Sequence, residues 1–293
     1  MNTPENAATI FEQYRILLFS IAYRMLGSVT DAEDIVQETF LRWMLEDTAK
    51  VQSPKAFLST IAVRLCLDQL RSARRQREVY VGPWLPEPIA TGQRQELFET
   101  AALAESLSFA FLVMLENLGP LERAVFLLRE VFEYEYAEIA EIVGKSEANC
   151  RQIFHRAQQR LEERRSRFDV SCEQQERITH QFLRASTGGD MQGLLNLLTE
   201  DIVFTGDSGG KARVGHRVRG RDKVARGTLV GLRPLLATMQ IHIEEVNGQP
   251  AITGYVDGRP YGVVFLDIEG EHIRNIYAVM NPDKLRWLGN NKP

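Results

Sequence analysis

The stretch that decides how this chain folds runs from Tyr134 to Leu161, YEYAEIAEIVGKSEANCRQIFHRAQQRL. Its spacing predicts two helices joined by a tight turn. Gly144 lies where the first helix must end in a left-handed turn, a conformation that suits glycine. Ser146 can then cap the second helix with its hydroxyl, and Glu147 adds negative charge to the first turn of that helix. The pattern is that of a helix-turn-helix.

The second helix of this pair presents a polar and basic face outward. Cys150 and Ile153 fall on the inward face. The cap and the outward positions are the predicted DNA-reading residues: Ser146, Glu147, Asn149, Arg151, Gln152, His155 and Arg156. Side chains of this kind suit base edges and phosphates in a major groove. An ordinary helical hairpin with a solvated charged face is the alternative.

The composition, with 44% hydrophobic and 25% charged residues in 293, is that of a globular protein with room for two or three domains. Because the apolar runs are too short for a bilayer and the N-terminal residues do not resemble a signal peptide, we expect a cytoplasmic protein without a membrane partner. Cys66, Cys150 and Cys172 stand singly, which favours structural thiols over a metal site. We expect no metal and no cofactor.

The net charge of -4 is unevenly distributed along the chain. Arginines cluster between positions 64 and 77 and again between positions 151 and 167, whereas positions 31 to 47 are acidic. Two basic patches and one acidic patch indicate two phosphate-facing surfaces and one surface for a basic protein partner. Any one patch alone is compatible with a solvated helix face.

The first part of the chain, about residues 7 to 77, is predicted to be helical. Thr30 and Asp31 are expected to start one helix, whose apolar stripe is Ile35, Val36, Thr39, Phe40 and Trp43. Ser53-Pro54 opens another, with the stripe Phe57, Ile61, Leu65 and Leu70. Three prolines between positions 83 and 88 then exclude helix, so this segment is a linker. A second helical block runs from about residue 95 to residue 167.

The last part of the chain changes from helices to strands. Residues 173 to 198 read as two helices joined at Gly188-Gly189-Asp190. Five strand patterns follow, at 201–206, 238–246, 250–256, 261–268 and 272–280, and Asn-Gly, Asp-Gly and Glu-Gly turn signals separate the later ones. This order predicts an α+β domain in which helices pack on one face of a curved antiparallel sheet. Such a cone usually has a pocket at its open end.

Three signatures in order resemble the sigma factors of bacterial RNA polymerase, and specifically the extracytoplasmic-function group of the sigma-70 superfamily. They are DAEDIVQETFLRWM (31–44), PKAFLSTIAVRLCLDQLRSARR (54–75) and the helix-turn-helix downstream. The resemblance implies sigma region 2 at 1–78, a linker at 79–95 and sigma region 4 at 96–168. Both regions would be all-α domains.

The resemblance also implies a role for each charged surface. The acidic helix would bind the beta-prime clamp helices of the RNA polymerase core through Asp31, Asp34, Gln37, Glu38 and Leu41. The following basic helix would contact the minus-10 element of promoter DNA through Arg64, Asp68, Arg71, Arg74 and Arg75. The helix that starts after Ser146 would read the minus-35 element.

Three further motifs resemble a subgroup of these sigma factors that carries a C-terminal NTF2-like (SnoaL-like) domain, here 172–293. They are WLPEP (84–88), DSGGK (207–211), which departs from the subgroup's DGGGK at Ser208, and NPDKL (281–285). A regulatory contact is expected to involve Trp84, Leu85, Pro86, Asp207, Gly209, Gly210, Lys211, Asn281, Pro282 and Asp283. The two later motifs could also be a flexible loop and a plain turn.

The predicted function is therefore promoter recognition and transcription initiation, under control of the chain's own C-terminal domain rather than a separate anti-sigma factor. A one-component DNA-binding regulator with a ligand-sensing domain is the alternative, but such a regulator has no use for the acidic helix. An enzyme is disfavoured, although Asp201, Asp207, His216 and Tyr255 are residue types that an NTF2-like active site could use. The sequence identifies neither the promoter nor any ligand of the pocket.

Overall fold

The fold is described from a computed structural model, over residues 4–47, 50–77, 80–90, 106–162, 170–212 and 217–288. The chain divides into two compact units. A helical unit comprises Met1–Glu78, Glu96–Leu107 and Phe111–Arg164, and a C-terminal unit comprises Val79–Gln95, Ser108–Ala110 and Arg165–Pro293. Among the described helices, none combines the length and the apolar character needed to cross a membrane.

The described part of the helical unit contains two groups of helices. The first group is α1 (Pro4–Leu26), α2 (Val29–Met44) and α3 (Pro54–Arg77). The second group is α4 (Phe109–Leu115), α5 (Pro120–Glu130), α6 (Tyr136–Val143) and α7 (Glu147–Glu162). The first two residues of α4, Phe109 and Ala110, belong to the C-terminal unit.

Helix α2 begins two residues earlier than the sequence predicts. The hydroxyl of Ser28 accepts a hydrogen bond from the backbone N–H of Asp31, at 3.1 Å, so Ser28 is the cap and Thr30 lies inside the helix. The predicted stripe is confirmed, since Ile35, Val36, Thr39 and Trp43 are buried and Phe40 is half-buried. The indole N–H of Trp43 donates to the carbonyl oxygen of Ala7 at 2.8 Å, which ties α2 to α1.

Helix α3 begins after Ser53 as predicted, but its apolar stripe is displaced. Phe57, Ile61 and Leu65 are only half-buried, and Leu70 alone of the four is buried. The buried face consists of Leu58, Ala62, Val63, Cys66, Leu67 and Leu70. The cause is that α3 packs against α1 and α2 on one side and against α5 and α6 on the other, so a broad face is covered.

The C-terminal unit contains three helices and one sheet within the described residues. The helices are α8 (Cys172–Gly188), α9 (Met191–Leu197) and α10 (Arg221–Leu232). The strands are β1 (Leu198–Asp207), β2 (Arg217–Arg219), β3 (Gln240–Val246), β4 (Gln249–Val256), β5 (Arg259–Glu269) and β6 (His272–Val279). Two short 3-10 turns follow, Pro282–Lys284 and Arg286–Leu288.

The sheet has the strand order β2-β1-β6-β5-β4-β3 and is mixed, not antiparallel throughout as predicted. Strand β1 pairs with β6 in parallel, whereas the other pairs are antiparallel. The meander β3 to β6 folds back through short turns, and the two residues of the first turn, Asn247 and Gly248, have φ of 54° and 69°. The parallel pair forms because β6, the last strand of the meander, lies beside β1 and runs in the same direction. Strand β2 and helix α10 were not predicted.

The core of this unit lies between the sheet and its helices. Ile178, Phe182, Leu194 and Val224 from the helices meet Leu266 and other apolar residues of the strands. Two of the three cysteines, Cys66 and Cys150, are buried as expected of structural thiols, but Cys172 is exposed, so that interpretation is wrong for Cys172. The described fold is thus an all-α unit of two helical groups and an α+β unit with a mixed six-stranded sheet.

Candidate functional site

The turn between α6 and α7 has the geometry that the sequence predicts for a helix-turn-helix. Gly144 ends α6 in the left-handed conformation, with φ of 66° and ψ of 44°, and its N–H donates to the carbonyl oxygen of Ala140. The hydroxyl of Ser146 accepts from the N–H of Asn149 at 3.3 Å and caps α7. Cys150 and Ile153 are buried beneath the helix. The local sequence therefore determines where α6 ends and α7 begins.

All the outward residues predicted on α7 are exposed, from Glu147 to Arg156. The two arginines on this face, Arg151 and Arg156, differ in their partners, however. Arg151 forms an ion pair with Glu147 at 2.9 Å and lies 5.0 Å from the ring centroid of Tyr136, so it is held against the protein. Arg156 forms no ion pair with any residue that the structure describes. Among the described residues, Arg156 is therefore the arginine on this face that is available to DNA without breaking an ion pair.

The outward face of α2 combines carboxylates with an apolar side chain. Asp34, Gln37 and Leu41 are exposed, and Leu41 retains 52% of its accessible surface. Asp31 and Glu38 are half-buried, and Glu38 forms an ion pair with Arg42 at 2.8 Å. A groove between α1 and α2 adjoins this face, lined by Phe11, Glu12, Arg15, Glu33, Val36, Gln37 and Phe40. Such a surface suits a basic partner helix with an apolar stripe.

The outward face of α3 is partly engaged inside the helical unit. Asp68 and Arg71 are exposed and pair with each other at 3.1 Å. Arg64 is exposed, but its Nε donates to the carbonyl oxygen of Ile142 at 3.2 Å and its Nη2 to that of Glu141 at 3.3 Å. The side chains of Arg74 and Arg75 lie outside the described residues. The predicted promoter face of α3 is therefore only partly free in this conformation.

Further bonds hold the two helical groups together. Ser59 of α3 shares a hydrogen bond of 2.7 Å with the hydroxyl of Tyr134, just before α6. Arg123 of α5 is buried, donates to the carbonyl oxygen of Met25 at 2.6 Å and pairs with Glu116 at 2.8 Å. Because buried charged groups need such partners, these bonds define a specific packing of the two sigma regions.

A buried carboxylate organises the linker within the C-terminal unit. Asp207, at the end of β1, is fully buried, and its two oxygens accept four hydrogen bonds. Oδ1 accepts from the hydroxyl of Tyr80 at 2.6 Å and from the N–H of Gly209 at 3.1 Å. Oδ2 accepts from the N–H of Leu85 at 2.8 Å and from Nζ of Lys284 at 2.7 Å. We call Tyr80, Leu85, Asp207 and Lys284 the linker clamp.

The ammonium group of Lys284 completes the linker clamp. It is buried, donates also to the carbonyl oxygen of Leu85, and lies 4.1 Å from the ring centroid of Trp84. Trp84 is half-buried and Leu85 is buried. Because burial and the hydrogen bond to Asp207 raise the pKa of Tyr80, its phenol stays protonated and remains a donor.

The motif residues around the linker clamp support it. Asn281 donates to the hydroxyl of Tyr80 at 2.9 Å and accepts from the N–H of Asp283 at 3.1 Å. Lys211 pairs with Asp283, and this hydrogen bond lowers the pKa of the carboxyl. Gly209 has φ of 56°, and a Cβ there would come within 2.6 Å of the Asn281 amide nitrogen. Glycine is therefore required at this position.

Sequence reasoning missed two members of the linker clamp. Lys284 lies inside the NPDKL motif but was not singled out, because a lysine is ordinarily exposed. The signal that could have identified it is the acidic Asp207 in the partner motif. Tyr80 lies outside every motif.

Two further residues of the predicted regulatory contact lie in the described structure as follows: Pro86 is buried beside Leu85, and Gly210 has φ of 76°.

The residues that an enzyme could use do not form a catalytic group in the described structure. Asp207 is committed to four donors, and Asp201 is exposed six residues earlier on the same strand. Tyr255 donates to Glu244 at 2.9 Å. His216 lies outside the described residues.

Comparisons with known proteins define the class. Residues 10–76 match the family Sigma-70 region 2, and residues 108–161 match Sigma-70, region 4. The ECF RNA polymerase sigma factor SigJ of Mycobacterium tuberculosis is 37% identical over 94% of this chain and 91% of its own length. The probable ECF RNA polymerase sigma factor SigI of the same organism is 32% identical over 97% of each chain. The crystal structure of SigJ has a TM-score of 0.76 and 35% identity, and covers 97% of this chain and 99% of SigJ.

These matches place the chain among the sigma factors of the sigma-70 class. It belongs to the family of extracytoplasmic-function RNA polymerase sigma factors, and its similarity to SigJ extends through the C-terminal domain. The alternative of a one-component regulator that never engages polymerase is thereby set aside.

Proposed function

We propose that this sigma factor binds the polymerase core through α2, contacts the minus-10 element through α3 and the minus-35 element through α7, and is restrained by its own C-terminal domain. The acidic and apolar face of α2 supports the first role. The guanidinium of Arg156 is exposed on the capped helix α7 and has no ion-pair partner among the described residues, which supports the contact with the minus-35 element. The place of action is the cytoplasm, where the polymerase works.

The observation that carries the proposed restraint is the fourfold engagement of Asp207 in the linker clamp. Tyr80 and Leu85 lie three and eight residues beyond the end of α3, so the linker clamp binds the chain that directly follows α3 to the C-terminal domain. The two promoter elements are separated by more than two turns of DNA, roughly 80 Å. A sigma factor must therefore extend its two regions, whereas Arg64 and Ser59 hold α3 beside α6 in this conformation.

This arrangement amounts to two states in equilibrium. In the closed state the linker clamp is formed and the two helical groups pack together. In the open state the helical groups separate, and polymerase and promoter DNA bind their surfaces. A signal that favours the open state activates the protein by population shift. No separate anti-sigma factor is needed in this scheme.

Transcription with purified core polymerase tests the proposal. The full chain is incubated with core and fragmented genomic DNA, and transcript start sites are mapped. We expect starts at a common pair of promoter elements that core alone does not use. Starts that do not depend on the added chain would refute the sigma role. Starts that depend on it but are unaffected by Tyr80→Phe and Lys284→Met would refute the restraint alone.

A further inference from the structure

The sheet of the C-terminal domain is covered on both faces. Side chains alternate between faces along a strand, so on β5 Leu266 and Ile268 lie in the core beneath the helices whereas Val263 and Phe265 lie on the opposite face. Val263 and Phe265 nevertheless have no accessible surface. Something other than the helical core therefore covers the second face.

Phe109 covers the centre of this second face. Its ring stacks on Phe265 with centroids 3.9 Å apart and planes within 6°, and it meets Tyr277 at 5.8 Å. Its backbone N–H donates to Oε1 of Gln249 at 3.1 Å. Ser108–Ala110 is grouped with the C-terminal unit, whereas the chain from Phe111 onward belongs to the helical unit. A three-residue segment at the start of α4 is thus inserted into the C-terminal domain.

The surface beneath Phe109 has a defined chemistry. Its floor is aromatic, because Phe265 and Tyr277 are paired neighbours on β5 and β6. The next pair on the same face of these strands is Asp267 and Asn275, joined by a hydrogen bond of 2.6 Å. Burial raises the pKa of Tyr277, so its phenol is neutral there. The site is therefore flat and apolar, with one carboxylate at its border.

We propose that this surface is a binding site for a small, flat, neutral aromatic molecule, and that Phe109 occupies the site when the ligand is absent. A parallel ring at stacking distance is the contact that a planar aromatic ligand reproduces. The carboxylate of Asp267 disfavours an anionic ligand and offers an acceptor to a hydroxyl group at the ligand's edge. A ligand that stacks on Phe265 displaces Phe109, which is the first residue of α4.

Occupation by Phe109 must weaken ligand binding, because only the fraction of molecules with the site vacated can bind. A change that removes or loosens Phe109 therefore tightens binding without improving any contact of the ligand itself. The consequence for transcription rests on the regulatory role proposed above. The existence of the site does not, and the two are measured separately.

The test is calorimetric titration of the full chain with 2-naphthol, a flat neutral probe with one hydroxyl. Phe109→Ala should lower the apparent Kd by about tenfold or more relative to the unsubstituted protein. Phe111→Ala is the matched control, since this ring lies two residues away in the helical unit and packs on Phe126; it should leave the Kd unchanged. Adding Phe265→Ala to Phe109→Ala removes the floor and should abolish the gain.

Gln249→Ala provides a second variant, in which the rings of Phe109 and Phe265 both remain. It loses only the hydrogen bond that holds Phe109, so it should lower the apparent Kd for 2-naphthol by less than Phe109→Ala does. If thermal melting shows that Phe109→Ala is unfolded, Gln249→Ala is the variant that tests the proposal. Folded variants that bind 2-naphthol no more tightly than the unsubstituted protein would overturn the proposal, as would a gain that survives Phe265→Ala. Tighter binding without any change in transcription would leave the site established and refute only its link to regulation.

Discussion

At the scale of single residues, the face of α7 contains two arginines that the sequence cannot tell apart. Both are exposed, but Arg151 is neutralised by Glu147 and stacked on Tyr136, whereas Arg156 has no partner among the described residues. Arg151 must break its ion pair before it can reach DNA. The sequence predicts which residues face outward, because periodicity fixes that, but ion pairing depends on rotamers that periodicity does not specify.

Replacing Arg156 with alanine should therefore cost the larger share of minus-35 affinity. We expect a loss of about 1–3 kcal/mol if it contacts a base bidentately, and a smaller loss for Arg151→Ala. Fluorescence anisotropy with labelled minus-35 duplex measures both, with Gln159→Ala on the same helix as control. If Arg156 contacts a phosphate instead, the substitution weakens binding to all DNA sequences equally and makes the affinity less dependent on salt. Equal binding by Arg156→Ala and the unsubstituted protein would contradict this assignment.

The linker clamp makes a prediction about stability. Because Asp207 and Lys284 are buried, Lys284→Met leaves an uncompensated carboxylate and should cost about 3–5 kcal/mol of unfolding free energy. Asp207→Asn should also destabilise, and the double variant should lose less than the sum. Lys211→Met is the matched control, because its ion pair is half-exposed and should contribute less than about 1 kcal/mol. Urea unfolding followed by tryptophan fluorescence measures these changes; additive effects of the two substitutions would show that Asp207 and Lys284 are not coupled.

At the scale of elements, helix caps and hairpin turns were predictable and non-local pairing was not. Gly144, Ser146, Ser53 and Asn247 determine local structure through their own backbone or hydroxyl groups, so the sequence around them is sufficient. The parallel pair of β1 and β6 joins strands about seventy residues apart, and nothing in either strand specifies the direction of its neighbour. Helix α10 is not evident from the sequence because half of its residues are exposed and only Val224 and Ala225 are buried.

The face of α2 gives a prediction about polymerase. Asp34 and Glu38 lie one turn apart, so Asp34→Lys with Glu38→Lys reverses the charge of one face while leaving the buried stripe intact. This variant should lose most of its binding to core in a pull-down and retain its melting temperature within a few degrees. The control is Glu173→Lys with Glu176→Lys on α8, which makes the same change of charge at exposed positions of the C-terminal unit. Core retention by the α2 variant equal to that of the α8 variant would exclude this face.

At the scale of the whole molecule, the order of the three domains was predictable and the division into compact units was not. The linker reads as a separate segment in the sequence, yet it is grouped with the C-terminal unit because Leu85 and Asp207 bond to each other. The boundaries 1–78, 79–95, 96–168 and 172–293 therefore remain predictions about independently folding pieces. A buried carboxylate that bonds across more than a hundred residues leaves no periodic signal in the chain.

The central claim is that the C-terminal domain restrains an otherwise competent sigma factor through the linker clamp. Deleting every residue after Val279 removes Lys284 and Asn281 but leaves both sigma regions. A chain that ends at Leu288 is the control, because it keeps the linker clamp. Removing everything after Arg167 is a third variant, in which any positive role of the domain is lost too.

Run-off transcription from a cognate promoter with purified core is the measurement that tests this claim most directly. The chain that ends at Val279 should produce about fivefold more transcript than the full chain, the chain that ends at Leu288 should match the full chain, and the chain that ends at Arg167 should differ from both. Transcript levels that are equal for the full chain and the chain that ends at Val279 would contradict the account and leave the C-terminal domain as a passive appendage.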